Sequence, residues 1–355
     1  MRSIKQAVAV FLLLFIVSCS KENTAPAPPP PPPVNTEKTF TNPLLSSGPD
    51  PWVIQKDSFY YYTQTSGDRI RLWKTKSMSR LNFVTPVTVW TKPATGPNSE
   101  NVWAPEMHFI DNKWYIYYTA GSGDINTTQR LFVLENASPD PTQGTWVDKG
   151  QIKDAAADFW AIDANVFNYN GSNYLLWSGH QTVADLTQRI YIAKMLNPLT
   201  LATGRIEISA PTFAWERIGA PPAVNEGPEV IKSPAGRPVL IFSASGCWTD
   251  DYSMGMLLLK ENSDPMDAAN WVKSSNPVFT KNAESGAYGP GHCSFFKSPD
   301  GTQNWFIYHA NSLPNQGCGD VRNPRMQQFT WNTDGTPNFG TPVKISTALT
   351  RPAGE

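Results

Sequence analysis

Five times along this chain a tight polar turn separates two strand-like aromatic runs, and this repeat limits the fold more than any other feature. The turns are Asp57-Ser58, Asp111-Asn112, Asn170-Gly171, Pro234-Ala235-Gly236 and Asp300-Gly301, spaced 54 to 65 residues apart. Runs such as Phe59-Tyr60-Tyr61-Tyr62, Trp114-Tyr115-Ile116-Tyr117-Tyr118 and Trp305-Phe306-Ile307-Tyr308 follow them. Short runs rich in Tyr, Trp, Val and Ile and bounded by Gly, Pro, Asn and Asp read as antiparallel meanders. No long stretch of helical period competes with them. A repeat of this length is too long for a solenoid coil and suits a propeller blade of several strands packed around a channel. The expectation is an all-β, five-bladed propeller.

Seven or eight residues before three of these turns stands one carboxylate, Asp50, Asp163 or Glu226, and before the fifth stands His292. If each turn joins the first and second strands of a blade, a residue that far upstream lies about 23 to 27 Å away along an extended strand. The four polar residues then converge at one mouth of the channel. Asp163 sits in the apolar run Trp160-Ala161-Ile162-Asp163-Ala164, and a charge there costs several kcal/mol of desolvation unless it is paired or solvated, which points to a wet site.

The N-terminus reads as an export signal. Arg2 and Lys5 precede an apolar stretch from Ala7 to Val17 and then Ser18-Cys19, the three parts of a secretory leader. The stretch is shorter than the roughly 18 to 20 residues that a membrane span needs. Ile16-Val17-Ser18-Cys19 resembles a lipobox, which implies a signal over residues 1–19, lipidation at Cys19 and a protein held by lipid in the bacterial envelope. Residues 20–37 contain the proline run Pro28–Pro33, an extended polyproline spacer. Residues 38–355 then form the propeller. The formal net charge of −1 offers no basic surface for nucleic acid and favours neutral ligands. Of Cys247, Cys293 and Cys318, an oxidising compartment allows one disulfide. Cys247 and Cys318 lie in Gly-flanked loops after the strand runs of units four and five and are the expected pair, with Cys293 buried and reduced.

With these residues in view, the chain resembles glycoside hydrolase family 43, five-bladed propellers acting on arabinose- and xylose-containing plant polysaccharides. The resemblance rests on Asp50 in Asp-Pro-Trp-Val, Asp163 in Ile-Asp-Ala and Glu226 in Asn-Glu-Gly-Pro, in that order, and covers about residues 40 to 345. Trp103-Ala104-Pro105-Glu106, Gly289-Pro290-Gly291-His292, Tyr308-His309-Ala310 and Arg325-Met326-Gln327 are similar to further family landmarks. The resemblance implies Asp50 as general base, Glu226 as general acid and Asp163 as the residue that tunes and orients the acid. Inversion would then require the two carboxyls to stand roughly 6.5 to 9.5 Å apart.

It also implies a calcium or similar ion at His292, completed largely by water, although calcium prefers oxygen ligands. The chemistry itself requires no cofactor. Trp103 is the expected stacking surface for a sugar, and Arg325 the expected donor to ring hydroxyls or to Asp50. The segments Ile70–Lys74, Val102–Phe109, Val224–Glu229 and Tyr288–Gly301 look most like exo-acting α-L-arabinofuranosidases, which release terminal arabinose from arabinan or arabinoxylan. Endo-1,5-arabinanase and β-xylosidase share the same catalytic set. A lipid-anchored, non-catalytic glycan-binding propeller is the alternative from another class.

Overall fold

The computed structural model describes residues 38–355. The signal at residues 1–19, Cys19 and the proline spacer over residues 20–37 lie outside the described residues.

Five antiparallel sheets, each built from consecutive strands, make up most of the described chain, and a sixth, two-stranded sheet pairs its first strand with its last. Blade 1 comprises Trp52–Lys56, Phe59–Thr63, Arg69–Thr75 and Val87–Thr91. Blade 2 comprises Glu100–Ile110, Lys113–Gly121, Arg130–Asn136 and Val147–Gln151. Blade 3 comprises Ala161–Tyr169, Ser172–Gly179 and Arg189–Asn197, the last pairing with both Thr200–Leu201 and Ile206–Ser209. Blade 4 comprises Asn225–Lys232, Pro238–Ala244, Ser253–Leu259 and Trp271–Lys273. Blade 5 comprises Tyr288–Lys297, Asn304–Asn311, Asn323–Trp331 and Pro337–Asn338. The first strand of each blade touches the first strand of the next, and that of blade 5 returns to blade 1. The sheets thus close into a five-bladed propeller.

Local chemistry explains the hairpins. The first two strands of blades 1, 2 and 3 turn through two residues, as the pairs Lys56↔Phe59, Ile110↔Lys113 and Tyr169↔Ser172 show. Asp111, Asn112, Asn170 and Gly171 all have positive φ, as a hairpin turn that follows strand twist requires. Alternation then sends neighbouring side chains into different cores. Tyr60 and Tyr62 pack with Trp305 and Ile307 of blade 5, whereas Tyr61 packs with Trp114 and Ile116 of blade 2. Each of the five apolar clusters fills the space between two adjacent blades. Cys293 is a free thiol in the cluster between blades 4 and 5.

Chain ends fasten the ring. Thr39–Phe40 pairs with Leu349–Thr350, and Asn42 exchanges hydrogen bonds with the backbone of Met326 in blade 5. The Glu355 carboxylate in turn accepts from Ser77 and from the backbone N–H of Met78 in blade 1.

A kink near the start of every inner strand goes beyond the simple extended-strand expectation. Asp50, Ala104, Asp163, Gly227 and His292 have φ of 53°, 40°, 58°, 54° and 46°, and the pairing register shifts at this point in blades 2 to 5. Such bulges re-aim side chains at the rim of a sheet. In each blade the N–H of the kinked residue donates to a side chain of the preceding blade. The five bonds are Asp50 N to His309 Nδ1 (3.0 Å), Ala104 N to Thr65 Oγ1 (2.7 Å), Asp163 N to Thr119 Oγ1 (3.2 Å), Gly227 N to Asp163 Oδ2 (2.9 Å) and His292 N to Ser243 Oγ (2.7 Å).

Candidate active site

The kinks gather Asp50, Asp163, Glu226 and His292 at one end of the channel. Their registers are not identical. Asp50, Asp163 and His292 are themselves the kinked residues, whereas in blade 4 that place falls to Gly227 and Glu226 precedes it. A glycine suits the spot, because a Cβ there would press on the His292 ring at 3.2 Å.

Asp50 is buried among donors. Arg322 Nη1 donates to Oδ1 at 2.9 Å, Thr65 Oγ1 donates to Oδ2 at 2.7 Å, and His292 Nδ1 lies 3.3 Å from Oδ1. Burial alone would raise the pKa of this carboxyl, but the Arg322 guanidinium, followed by His292, His309 and Thr65, brings it well below the usual range. His309 accepts the Asp50 N–H at Nδ1 and therefore carries its own proton on Nε2 when neutral. Burial favours that neutral form.

Glu226 stands in the opposite condition. Burial and then the nearby Asp50 charge raise its pKa to about 7, against a hydrogen bond from Tyr252 Oη to Oε1 at 2.8 Å. Asp163 is also raised, by burial first and then by Glu226 and Asp50, while the Gly227 N–H favours its charged form. Two such carboxyls titrate as a unit. Each has one donor that favours its charged form, the Tyr252 hydroxyl for Glu226 and the Gly227 N–H for Asp163. The Tyr252 ring also stacks on His309 at 5.8 Å between centroids, so the partners of Asp50 and Glu226 touch each other.

Beneath these residues lies a second polar layer. Asn165 Nδ2 donates to Glu106 Oε2 and to Glu229 Oε2, both at 3.0 Å. Burial raises both acids well above the ordinary value.

A family model named Glycosyl hydrolases family 43 matches residues 40–337. The chain belongs to this family. The "Extracellular exo-alpha-(1->5)-L-arabinofuranosidase" of Streptomyces avermitilis is 40% identical over 345 residues, 95% of this chain and 69% of its own length. "Alpha-L-arabinofuranosidase 43" of Humicola insolens is 37% identical over 86% of this chain and 64% of its own length. The chain thus spans about two thirds of each. A crystal structure of the alpha-L-arabinofuranosidase from Lactobacillus brevis superposes with a TM-score of 0.80 at 36% identity, covering 87% of this chain and 98% of that one.

Some residues expected from the family resemblance sit differently in this family 43 chain. Arg325 does not reach Asp50. It is fully buried and donates to Asn323 Oδ1, Asn311 O and Ser312 Oγ. Arg322, three residues earlier in a loop, makes the contact instead. Trp103 is partly exposed on the inner strand of blade 2, opposite Thr119. His292 turns Nδ1 towards Asp50, and among the described residues no three His, Cys, Asp or Glu side chains are placed to hold a metal. Calcium takes about six to eight oxygen ligands, so these side chains do not fit a calcium site.

Cys247 and Cys318 form a disulfide. Among the partners of the acids, Tyr252, Thr65 and Arg322 lie outside the sequence motifs named above, and His309 lies within Tyr308-His309-Ala310.

Proposed function

We propose that this family 43 chain is an inverting, exo-acting α-L-arabinofuranosidase that releases terminal L-arabinofuranose from arabinan or arabinoxylan. The observation that carries this reading is the contrast between two acids at one mouth, Asp50 kept ionised by Arg322 and Glu226 kept protonated up to about pH 7. That division of protonation is what general base and general acid need.

In this reading Asp50 takes a proton from a water molecule as its oxygen attacks the anomeric carbon. Glu226 gives its proton to the glycosidic oxygen as the bond to the anomeric carbon breaks. The sugar leaves with inverted configuration, and the two carboxyls return to their starting states by exchange with solvent. Asp163 acts through its neighbour. It accepts the Gly227 N–H, which fixes the backbone beside Glu226, and it titrates together with the acid, so that whenever it is ionised its charge holds the proton on Glu226. Thr65 and Arg322 each engage one oxygen of Asp50 and so set the direction in which it can accept a proton.

The exo preference follows the names of the relatives, as does export. Lipidation at Cys19 is part of the proposal and rests on the lipobox resemblance. Products from debranched arabinan, followed by NMR at the anomeric carbon, test the main reading. Arabinose alone, appearing first as the inverted anomer, is expected. Early oligosaccharides would overturn exo action, and a retained anomer would overturn the roles of Asp50 and Glu226.

A further inference from the structure

An exposed tryptophan at the rim is built as a platform and has no part in the chemistry described above. Trp248 lies in the loop between the second and third strands of blade 4 and is 44% exposed. One side of its ring is packed against backbone that only glycine permits. A Cβ on Gly246 would stand 2.2 Å from Cε2 of the ring, and one on Gly219 would stand 2.8 Å from Nε1. The indole N–H donates to Gly219 O at 3.2 Å.

The loop is held at both sides. Next to Trp248, Cys247 is bonded to Cys318 in the corresponding loop of blade 5. Gly246 N donates to Ile218 O, and Asn315 N donates to Asp250 Oδ1. The indole is thus anchored at its polar edge and remains partly open to solvent. Exposed Ile218, Leu313 and Val321 belong to the same group of rim loops.

Position suggests what this surface is for. Four residues beyond Trp248, Tyr252 donates to Glu226, so the two Cα atoms lie within about 14 Å of each other. Four residues beyond Cys318, Arg322 grips Asp50. The proton from Glu226 goes to the leaving oxygen, so the leaving chain must depart on the blade 4 side. We infer that Trp248 is the stacking platform for a sugar unit on the leaving side of the scissile bond, held in place by the Cys247–Cys318 bridge. The ligand class is the neutral pentose chain from which the terminal sugar is cut. The apolar C–H face of such a sugar lies flat on an indole. This inference rests on the assignment of Glu226 as the acid.

The test compares α-1,5-arabinotriose, which has leaving-side sugars, with α-L-arabinofuranosyl fluoride, which has none. For Trp248→Ala the ratio of kcat/KM on the triose to that on the fluoride is expected to fall roughly tenfold, mainly through KM. Trp248→Phe should restore most of it, and the Cys247→Ser/Cys318→Ser double variant should lower it less, in the same direction. The ratio does not depend on the fraction of folded enzyme. An unchanged ratio in Trp248→Ala would overturn the platform while leaving the exo reading intact. Failure of the wild type to turn over either substrate would overturn the exo reading and this inference with it.

Discussion

The two sides of the channel mouth treat a desolvated carboxyl in opposite ways. On the side of blades 5 and 1, Asp50 has a guanidinium, a hydroxyl and two imidazoles around it. On the side of blades 3 and 4, Glu226 has only the Tyr252 hydroxyl as a side-chain donor and shares its surroundings with Asp163. Both environments desolvate the acid. Arg322 acts on both but donates a hydrogen bond to Asp50, whereas the Asp50 charge works against ionisation of Glu226, so these partners act together with burial to decide which carboxyl keeps its proton.

Removing the titrating groups should break this contrast most severely. Glu226→Gln and Asp50→Asn are each expected to lower kcat on arabinan roughly 10³-fold, measured by arabinose release, with melting temperature showing that the fold persists. Near-normal activity of either variant on this poor leaving group would remove that residue from its role.

Arg322→Met takes away the cation that is hydrogen-bonded to Asp50 and that also lowers the pKa of Glu226 from farther off. Because Arg322 lowers the pKa of Asp50, its loss should raise that pKa and move the acidic limb of the kcat/KM profile to higher pH. Activity should fall about 10- to 100-fold. A profile that does not move would mean that the histidines and Thr65 suffice.

Tyr252→Phe changes the other side. The tyrosine hydrogen bond lowers the Glu226 pKa, so losing it should carry the basic limb above about pH 7, with a loss of activity of about 3- to 10-fold.

The smallest effect is expected beneath the mouth, at Glu106. Its folded-state pKa is raised well above the ordinary glutamate value, by burial first. The folded form therefore binds its proton more tightly than the unfolded form. That contribution to stability is complete below the unfolded pKa and is lost as pH rises through the folded one. Glu106→Gln mimics the protonated acid, so it should flatten the fall of melting temperature with pH and stabilise the protein near neutrality by about 1 kcal/mol.

Legibility in the sequence divides along the same line as the two layers of the site. Turns such as Asn170-Gly171 and runs such as Phe59–Tyr62 declare themselves locally, because turn chemistry and alternation need no distant partner. Asp50, Asp163 and Glu226 could be found because they keep nearly fixed offsets from those turns. Arg322 could not, since it sits in a loop without periodicity and meets Asp50 across 272 residues. Arg325 lay in a recognisable motif and was the more visible arginine, but its position on a buried strand turns it inward. The kinks were hidden for another reason. Asp and His tolerate positive φ without any sequence mark, and only Gly227 hints at the left-handed backbone in its own blade.

The five hydrogen bonds from the kinked residues all run the same way around the channel, each blade leaning on the one before it. The mouth is therefore wired as a closed circuit with a sense of rotation, in which the backbone beside every carboxyl there is held by a side chain of the preceding blade. Ala104 is the instructive member, for it offers no functional side chain, yet its N–H occupies the Thr65 oxygen so that the hydroxyl proton is free for Asp50. A blade without a carboxylate or a histidine at this place thus still helps to aim the Asp50 carboxyl, through Thr65.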